Sequence, residues 1–567
     1  MKIPSDPALR IAFYNSLISQ CFASRQTRMD FYSQMRMYYL FGSETGQLPE
    51  GSINKIYPTI DLLCSFLYAQ ETTRFATQFD KSADKLSIQR ASSMNEAIND
   101  EWFNSNADSI ANDAVKWGLV YNTMIVKLVI RGTDIAPYLV NPQNFGVLRE
   151  DIPSLDRQEA CAVMYQQTVT DMDTQLVGHP RRDEIMSQVS ATKRQDDGDQ
   201  NLPISRLLIS AGPGTGSSNI TGQADQTSAY TFAYAPVVDA DMVKMYELYV
   251  YDDDLNDYRI VTIANPGVIV FDRPAEKVFL QHELPFIKFT PNPLPDYFWG
   301  LAEVDQIKGL QKRRDKLTNM LQHLLDLNAQ PPKALMGDGW TGLADEKFLA
   351  LGEPDSYISI DNPNAKVQEF RPSIPEDLWR EFGYNDEQFQ EAVGLSNTLQ
   401  GKGEHGVRSQ SHSKSLATMG SSRAKKRALV IEDSLEKMAT LYAKLMRRYD
   451  DKHYVDDMGQ SFVFAQIDDK FLVKVDAHSN SPIFMEDQQQ MASQLLQSGS
   501  ISKKRFLQLM NPPMLQTLIN DLAEKIEPAE QQAAEKKEKM ELVAIAAKQH
   551  DDPNFLDKLM KMFGKGQ

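Results

Sequence analysis

Cysteine is scarce in this chain. Three occur in 567 residues, Cys21, Cys64 and Cys161, far apart and without a CxxC or Cys/His spacing. That pattern offers neither a disulfide framework nor a zinc site, and it points to synthesis in a reducing cytoplasm. Long apolar runs are missing too. No stretch approaches the ~20 apolar residues of a membrane span, so no membrane association is expected. The first residues, Met1-Lys2-Ile3-Pro4-Ser5-Asp6, carry no apolar core of a secretory signal. Positive charge is in deficit, with 60 Lys and Arg against 77 Asp and Glu and a net charge of −17. A protein that wraps nucleic acid tightly needs a basic surface to displace phosphate counterions, and this balance argues against that mode. An acidic wall past which DNA slides would share the balance, because it repels phosphates and keeps the polymer from sticking. So would a plain acidic cytoplasmic protein.

Catalytic signatures are absent in the same way. The eight histidines never form HExxH or pair with cysteine, and there is no GxSxG. Gly212-Pro213-Gly214-Thr215-Gly216-Ser217-Ser218 is Gly-rich but lacks the lysine of a phosphate-binding loop. Asp252-Asp253-Asp254-Leu255-Asn256-Asp257 has the acids of a calcium loop without its sixth-position glycine and twelfth-position glutamate, and reads as a hairpin turn. No enzyme, cofactor or metal is expected.

What is present is an ordinary globular composition, 42% hydrophobic and 24% charged, which excludes fibrous or disordered classes. The length allows roughly three or four domains. Apolar spacing of 3–4 marks two helices over residues 7–41, and more helix over 60–67 and 83–117. The period changes at Asn122, where Met124–Ile130 reads as a strand, followed by another at Ala160–Val169. Residues 192–228, rich in Gly, Ser, Asp, Gln and Thr, read as a long surface loop or insertion. Val243–Tyr251 and Tyr258–Ala264 alternate as a hairpin.

After Pro291, Pro293 and Pro295, a helix runs from Gly300 to Asn328. Leu310, Leu317 and Leu324 repeat at seven with Met320 and Leu327 between, a narrow coiled-coil-like seam roughly 40–45 Å long. Residues 333–371 read as a small αβ unit with strands at 333–336, 357–360 and 367–370 and a helix at 343–349. A helix over 375–393 carries Trp379, Phe382, Phe389 and Val393 on one side. Gly394–Ser413 is a polar, Gly-rich loop, and a long helix spans 414–449. Strands near 462–464 and 471–475 precede a charged helical tail. The fold class is α+β, mostly helical and multidomain.

That order of elements resembles the portal proteins of tailed phages, particularly the short-tailed kind. Trp299-Gly300-Leu301 leads into the first long helix, Val393-Gly394-Leu395-Ser396 leaves the second, and Leu495 to Ser502 has the look of the family's tail. The resemblance covers nearly the whole chain as an architecture, and the insertion at 192–228 departs from it. It implies a wing at 1–299, a first stem helix at 300–329, a clip at 330–374 and a second stem helix at 375–394. A tunnel loop at 395–413, a wing helix with return strands at 414–482 and a helical crown at 483–567 would follow. It further implies a homo-oligomeric ring, a dodecamer, at one capsid vertex of the virion. Double-stranded DNA would pass through it, terminase and then tail adaptor or nozzle proteins would dock on the clip, and major capsid and scaffolding proteins would meet the wing. Assembly would take place in the host cytoplasm.

Beside that resemblance stands the distribution of cations. Between Lys402 and Arg427 there are seven Lys or Arg and one acid, Glu404. Lys402, His405, Arg408, His412 and Lys414 suit transient phosphate contact in an acidic tube; a solvated loop balancing acidic neighbours is the alternative. Arg423, Lys425, Lys426 and Arg427 fit intersubunit salt bridges. Lys308, Lys312 and Lys316 form a like-charge stripe that weakens a helix by a few tenths of a kcal/mol per pair. Acids on a neighbouring subunit or passing phosphates are expected to compensate it, unless the face is merely solvated. The competing readings are an acidic coiled-coil scaffold or adaptor that never touches DNA, and an enzyme of nucleic-acid metabolism.

Overall fold

The first helix is specified locally. Asp6 Oδ1 accepts the Ala8 N–H at 2.9 Å and Pro7 occupies the first turn, where its missing donor does no harm. The computed structural model describes residues 1–70, 73–80, 82–131, 134–189, 241–264, 267–329, 373–394, 422–455, 460–475 and 491–510, with shorter pieces at 192–193, 210–211, 231–232, 331, 333–336, 366–369 and 518. Met1–Pro482 forms one unit and Ile483–Gln567 a second.

Helices α1 (Pro7–Cys21) and α2 (Arg25–Phe41) match the expected pair, and α3 spans Ile56–Leu67. The helix expected over 83–117 is instead α4 (Lys85–Gln89), α5 (Ala91–Asn104) and α6 (Ala107–Tyr121), preceded by strand β1 (Phe75–Phe79). The last break has a clear cause: Asn106 sits at φ 64°, a left-handed conformation that asparagine tolerates and a continuing helix cannot use. Asn122, at φ 89°, then turns the chain into β2 (Met124–Arg131).

Strands β3 (Asp134–Val140), β4 (Phe145–Val147) and β5 (Ala160–Thr168), helices α7 (Val169–Gln175) and α8 (Arg182–Gln188), and short strands β6 (Thr192–Lys193), β7 (Ser210–Ala211) and β8 (Thr231–Phe232) follow. The rest of the 192–228 stretch lies outside the described residues. Next come β9 (Asp241–Asp252), β10 (Asp257–Ala264), β11 (Val268–Pro274), α9 (Ala275–Val278) and β12 (Phe286–Phe289). The largest sheet runs β11-β10-β9-β5-β4 with β6 against β9, and a second runs β12-β2-β3. α1 lays Tyr14, Leu17, Ile18 and Cys21 onto Ala160, Leu248, Val250 and Val261 of the larger sheet. The acidic turn is a hairpin turn, with Asp252 paired to Asp257 across the β9–β10 ladder. Its buried carboxylates are engaged by the chain itself: Arg259 Nε meets Asp252 at 3.1 Å, and Asp257 accepts the N–H groups of Tyr258 and His282.

α10 (Glu303–Ala329) is the long helix expected after the prolines, about 40 Å in length. Strands β13 (Lys333–Met336) and β14 (Lys366–Glu369), at the positions of two of the expected strands, pair antiparallel with each other. The expected helix at 343–349 and strand at 357–360 lie outside the described residues. α11 (Glu376–Val393) packs along α10, and α12 (Ser422–Tyr449) packs on α3, α5 and β12. Strands β15 (His453–Val455), β16 (Ser461–Val463) and β17 (Phe471–Val475) complete the first unit. In the second, α13 (Lys503–Met510) follows a turn at Gly499, φ 69°.

Two side-chain expectations need correction. Leu317 is buried, and Leu310 and Leu324 are half-buried, but Met320, assigned to the seam, is 54% exposed. On α11 the buried positions are Leu378, Asn385, Phe389 and Val393, whereas Trp379 is 57% exposed. On α10 the buried face runs through Val304, Ile307, Gln311 and Thr318, rotated from the leucine seam, whereas on α11 Phe389 and Val393 are buried as expected and Trp379 alone falls off the packed face. Arg313 meets Glu381, Arg314 meets Asp386 at 2.5 Å, and Asn385 Nδ2 donates to the Leu310 carbonyl at 3.1 Å.

Candidate functional site

Three helix ends converge at one buried cluster. α10 begins with Glu303, which is wholly buried; α11 ends at Gly394, φ 77°; and α12 brings Arg427, 4% exposed, one turn after its start. Arg427 Nη2 meets the Glu303 carboxylate at 2.9 Å, its Nη1 donates to the Val393 carbonyl at 2.8 Å, and its Nε donates to Asn292 Oδ1 at 2.9 Å. Asn292 Nδ2 in turn donates to Glu303 Oε2 at 2.9 Å. Arg423 Nη1 donates to the carbonyls of Ala392 at 2.7 Å and Glu391 at 3.2 Å, closing the C-terminus of α11 with a cation where its dipole favours one. Burial pushes the Glu303 carboxyl above its ordinary range despite Arg427, and lowers the Arg427 guanidinium. A side chain at Gly394 would bring its Cβ within 2.9 Å of Arg423 Cβ.

The lead-in to α10 is fixed just as firmly. Trp299 is buried, donates from Nε1 to Glu150 Oε1 at 2.8 Å, and carries the Arg28 guanidinium 4.1 Å above its ring. Thr123 Oγ1 donates to the Trp299 carbonyl at 2.5 Å. Gly300, at φ 67°, passes so close to Thr290 and Asn292 that a Cβ would lie 2.5 Å from Thr290 Cγ2. Lys288 Nζ donates to the carbonyls of Pro153 at 2.6 Å and Phe298 at 2.9 Å, and burial brings its ammonium down to about 8.

The consequence concerns the segment 395–421, which leaves α11 at Gly394 and returns at α12. The helix ends that flank it are stapled to each other, by Arg423 and Arg427 onto the last carbonyls of α11. The expected loop cations Lys402, His405, Arg408, His412 and Lys414 lie outside the described residues. Arg423 and Arg427, assigned to intersubunit bridges, are corrected: their partners are within the chain. The lysine stripe is also largely compensated internally. Lys308 meets Asp305 at 2.6 Å and Gln34 at 3.2 Å, and Lys312 meets Glu44 at 3.4 Å beside the Tyr38 ring. Lys316 is exposed and has no carboxylate partner among the described residues. Sequence reasoning passed over Glu303 and Asn292. The basic run at 423–427 flagged one side of the cluster, and nothing in the sequence names the acid that answers it.

Among the described residues there is no group of side chains suited to a metal ion, and no helix long and apolar enough to cross a membrane. Residues 119–551 match the family model for the phage SU10 portal protein. The match spans more than half of the chain, which therefore belongs to this family of phage portal proteins, a structural family rather than an enzymatic one. No curated protein matches it. Among solved structures, a chain in the virion of a native gene transfer agent particle aligns at TM-score 0.40 and 11% identity, covering 85% of this chain and 94% of that one. A chain in the neck of an empty gene transfer agent particle aligns at TM-score 0.37 and 11% identity, covering 85% and 93%. Both likenesses are loose; membership rests on the sequence match.

Proposed function

We propose that copies of this chain form a ring, with twelve the expected number, at one vertex of a phage capsid, and that double-stranded DNA passes through its centre during packaging, retention and ejection. In this reading 1–299 is the wing, 300–329 and 375–394 are stem helices, and 330–374 is a clip that docks terminase and then tail adaptor or nozzle proteins. The segment 414–482 returns to the wing, where coat and scaffolding proteins bind, and 483–567 is a crown toward the capsid interior. The virion's head–tail junction is its place, reached by assembly in the host cytoplasm.

The observation that carries the reading is the junction that staples together the helix ends flanking 395–421. A basic, Gly-rich tunnel loop at 395–413, leaving from a junction of helix ends fixed in this way, suits transient contact with passing phosphates without gripping them. Lys402, His405, Arg408, His412 and Lys414 are the contacts proposed. Deleting Lys402–Ser411 leaves Arg423, Arg427 and Gly394 untouched. Particles carrying the deletion should retain intact rings and lose packaged DNA, read by electron microscopy and by nuclease-protected DNA per particle. Unchanged DNA content would remove the role assigned to the loop.

A further inference from the structure

Glycine inside a helix lowers its stability relative to alanine, so it needs a reason. Gly309 in α10 and Gly383 in α11 show none among the described residues: neither has a positive φ, and a Cβ at either would meet no described atom within 4 Å. Each lies on an exposed stripe at helical spacing. On α10, Gly309 is followed by Lys316 and Met320, all exposed. On α11, Gly383 shares its stripe with Glu387 and Glu391, also exposed, and this stripe is turned away from the Leu378, Asn385 and Phe389 face that packs on α10. The two stripes therefore cannot meet within one chain. They also differ in charge. Lys316 has no carboxylate partner among the described residues, and the Glu387 and Glu391 carboxylates have no cation there. Lys308, Lys312, Arg313 and Arg314 are matched internally, as are Glu381 and Asp386.

We infer that the occupant of these faces is a second copy of this chain, docked head to tail. The Gly309–Lys316–Met320 stripe of one copy lies on the Gly383–Glu387–Glu391 stripe of the next. Small residues let helix axes approach closely, Met320 gains cover, and Lys316 meets Glu387 or Glu391 across the contact. Because the surfaces differ on the two partners, the contact is heterologous and repeats until it closes a ring. The inference rests on the ring reading and specifies which surfaces build it.

The test is assembly of full-length protein, followed by analytical ultracentrifugation and negative-stain imaging. Gly309→Leu and Gly383→Leu should each fold, with monomer thermal stability equal to or above the parent, yet lower the ring fraction by about tenfold or more, the scale of one lost contact region. Lys316→Glu alone, and Glu387→Lys with Glu391→Lys, should weaken assembly in the same direction. Combining the two charge changes should restore it, which a loss of helix flexibility at the glycines would not produce. Normal rings from the leucine variants, or a combined variant no better than its parents, would overturn the interface while leaving the ring reading intact. Failure of the parent chain to form rings would overturn both.

Discussion

Lys288 shows what one buried residue reveals about the molecule. It sits on β12 beneath α12, at a groove of about 950 Å³ also lined by Asp156, Asp433 and Lys437. Two carbonyls hold its ammonium, yet burial, helped by the nearby charge of Lys437, takes it from its ordinary 10.5 down to about 8. The folded chain thus binds this proton more weakly than the unfolded chain. Between pH 8 and 10.5 the unfolded state holds the extra proton, so this group's contribution to stability grows as pH rises through the window and is lost as pH falls through about 8. Urea unfolding at pH 7.5 and pH 10 should show the parent gaining stability relative to Lys288→Met on going to the higher pH. Parallel pH dependence of the two proteins would contradict the assignment. None of this was legible in the sequence, where Lys288 stands in Phe-Ile-Lys-Phe as an ordinary alternating strand residue.

At the scale of elements, the long helices were legible because their period repeats over many turns, and the β9–β10 hairpin because its alternation is clean. Elements that depend on distant partners were not. β1 is five residues whose ladder partner, β17, lies at 471–475, and the N–H groups of Phe75 and Thr77 are taken by Asn99 and Asn95 of α5. No local signal announces such a strand. On α11 the expectation holds for Phe389 and Val393 and fails for Trp379, which stands beside the packed face of Leu378, Asn385, Phe389 and Val393. The Glu303–Arg427 pair joins three elements, and its loss should be costly. Glu303→Ala leaves a buried guanidinium without its counter-charge, a destabilisation of about 3–5 kcal/mol. Glu303→Leu combined with Arg427→Met removes both charges and should be less destabilising than Glu303→Ala. Urea midpoints of the variants check this; a double variant weaker than the single one would mean the cluster acts through packing rather than charge.

For the whole molecule, neither net charge nor motifs identified the chain. The order of elements from 300 to 450 did, and the family match over 119–551 agrees with it. The cluster at Glu303 and Arg427 adds what the order lacked, a buried junction that ties the start of α10, the end of α11 and the start of α12 together. The lysine stripe on α10 moves the other way. With Lys308 and Lys312 answered inside the chain, the proposed DNA contact rests on the loop, and Lys316 is the cation offered to the proposed contact between copies. All of this requires the chains to close around an opening. Negative-stain electron microscopy of the purified full-length protein tests that most directly. The expected result is closed rings with a central hole wide enough for duplex DNA, and a population of monomers or elongated dimers would contradict it.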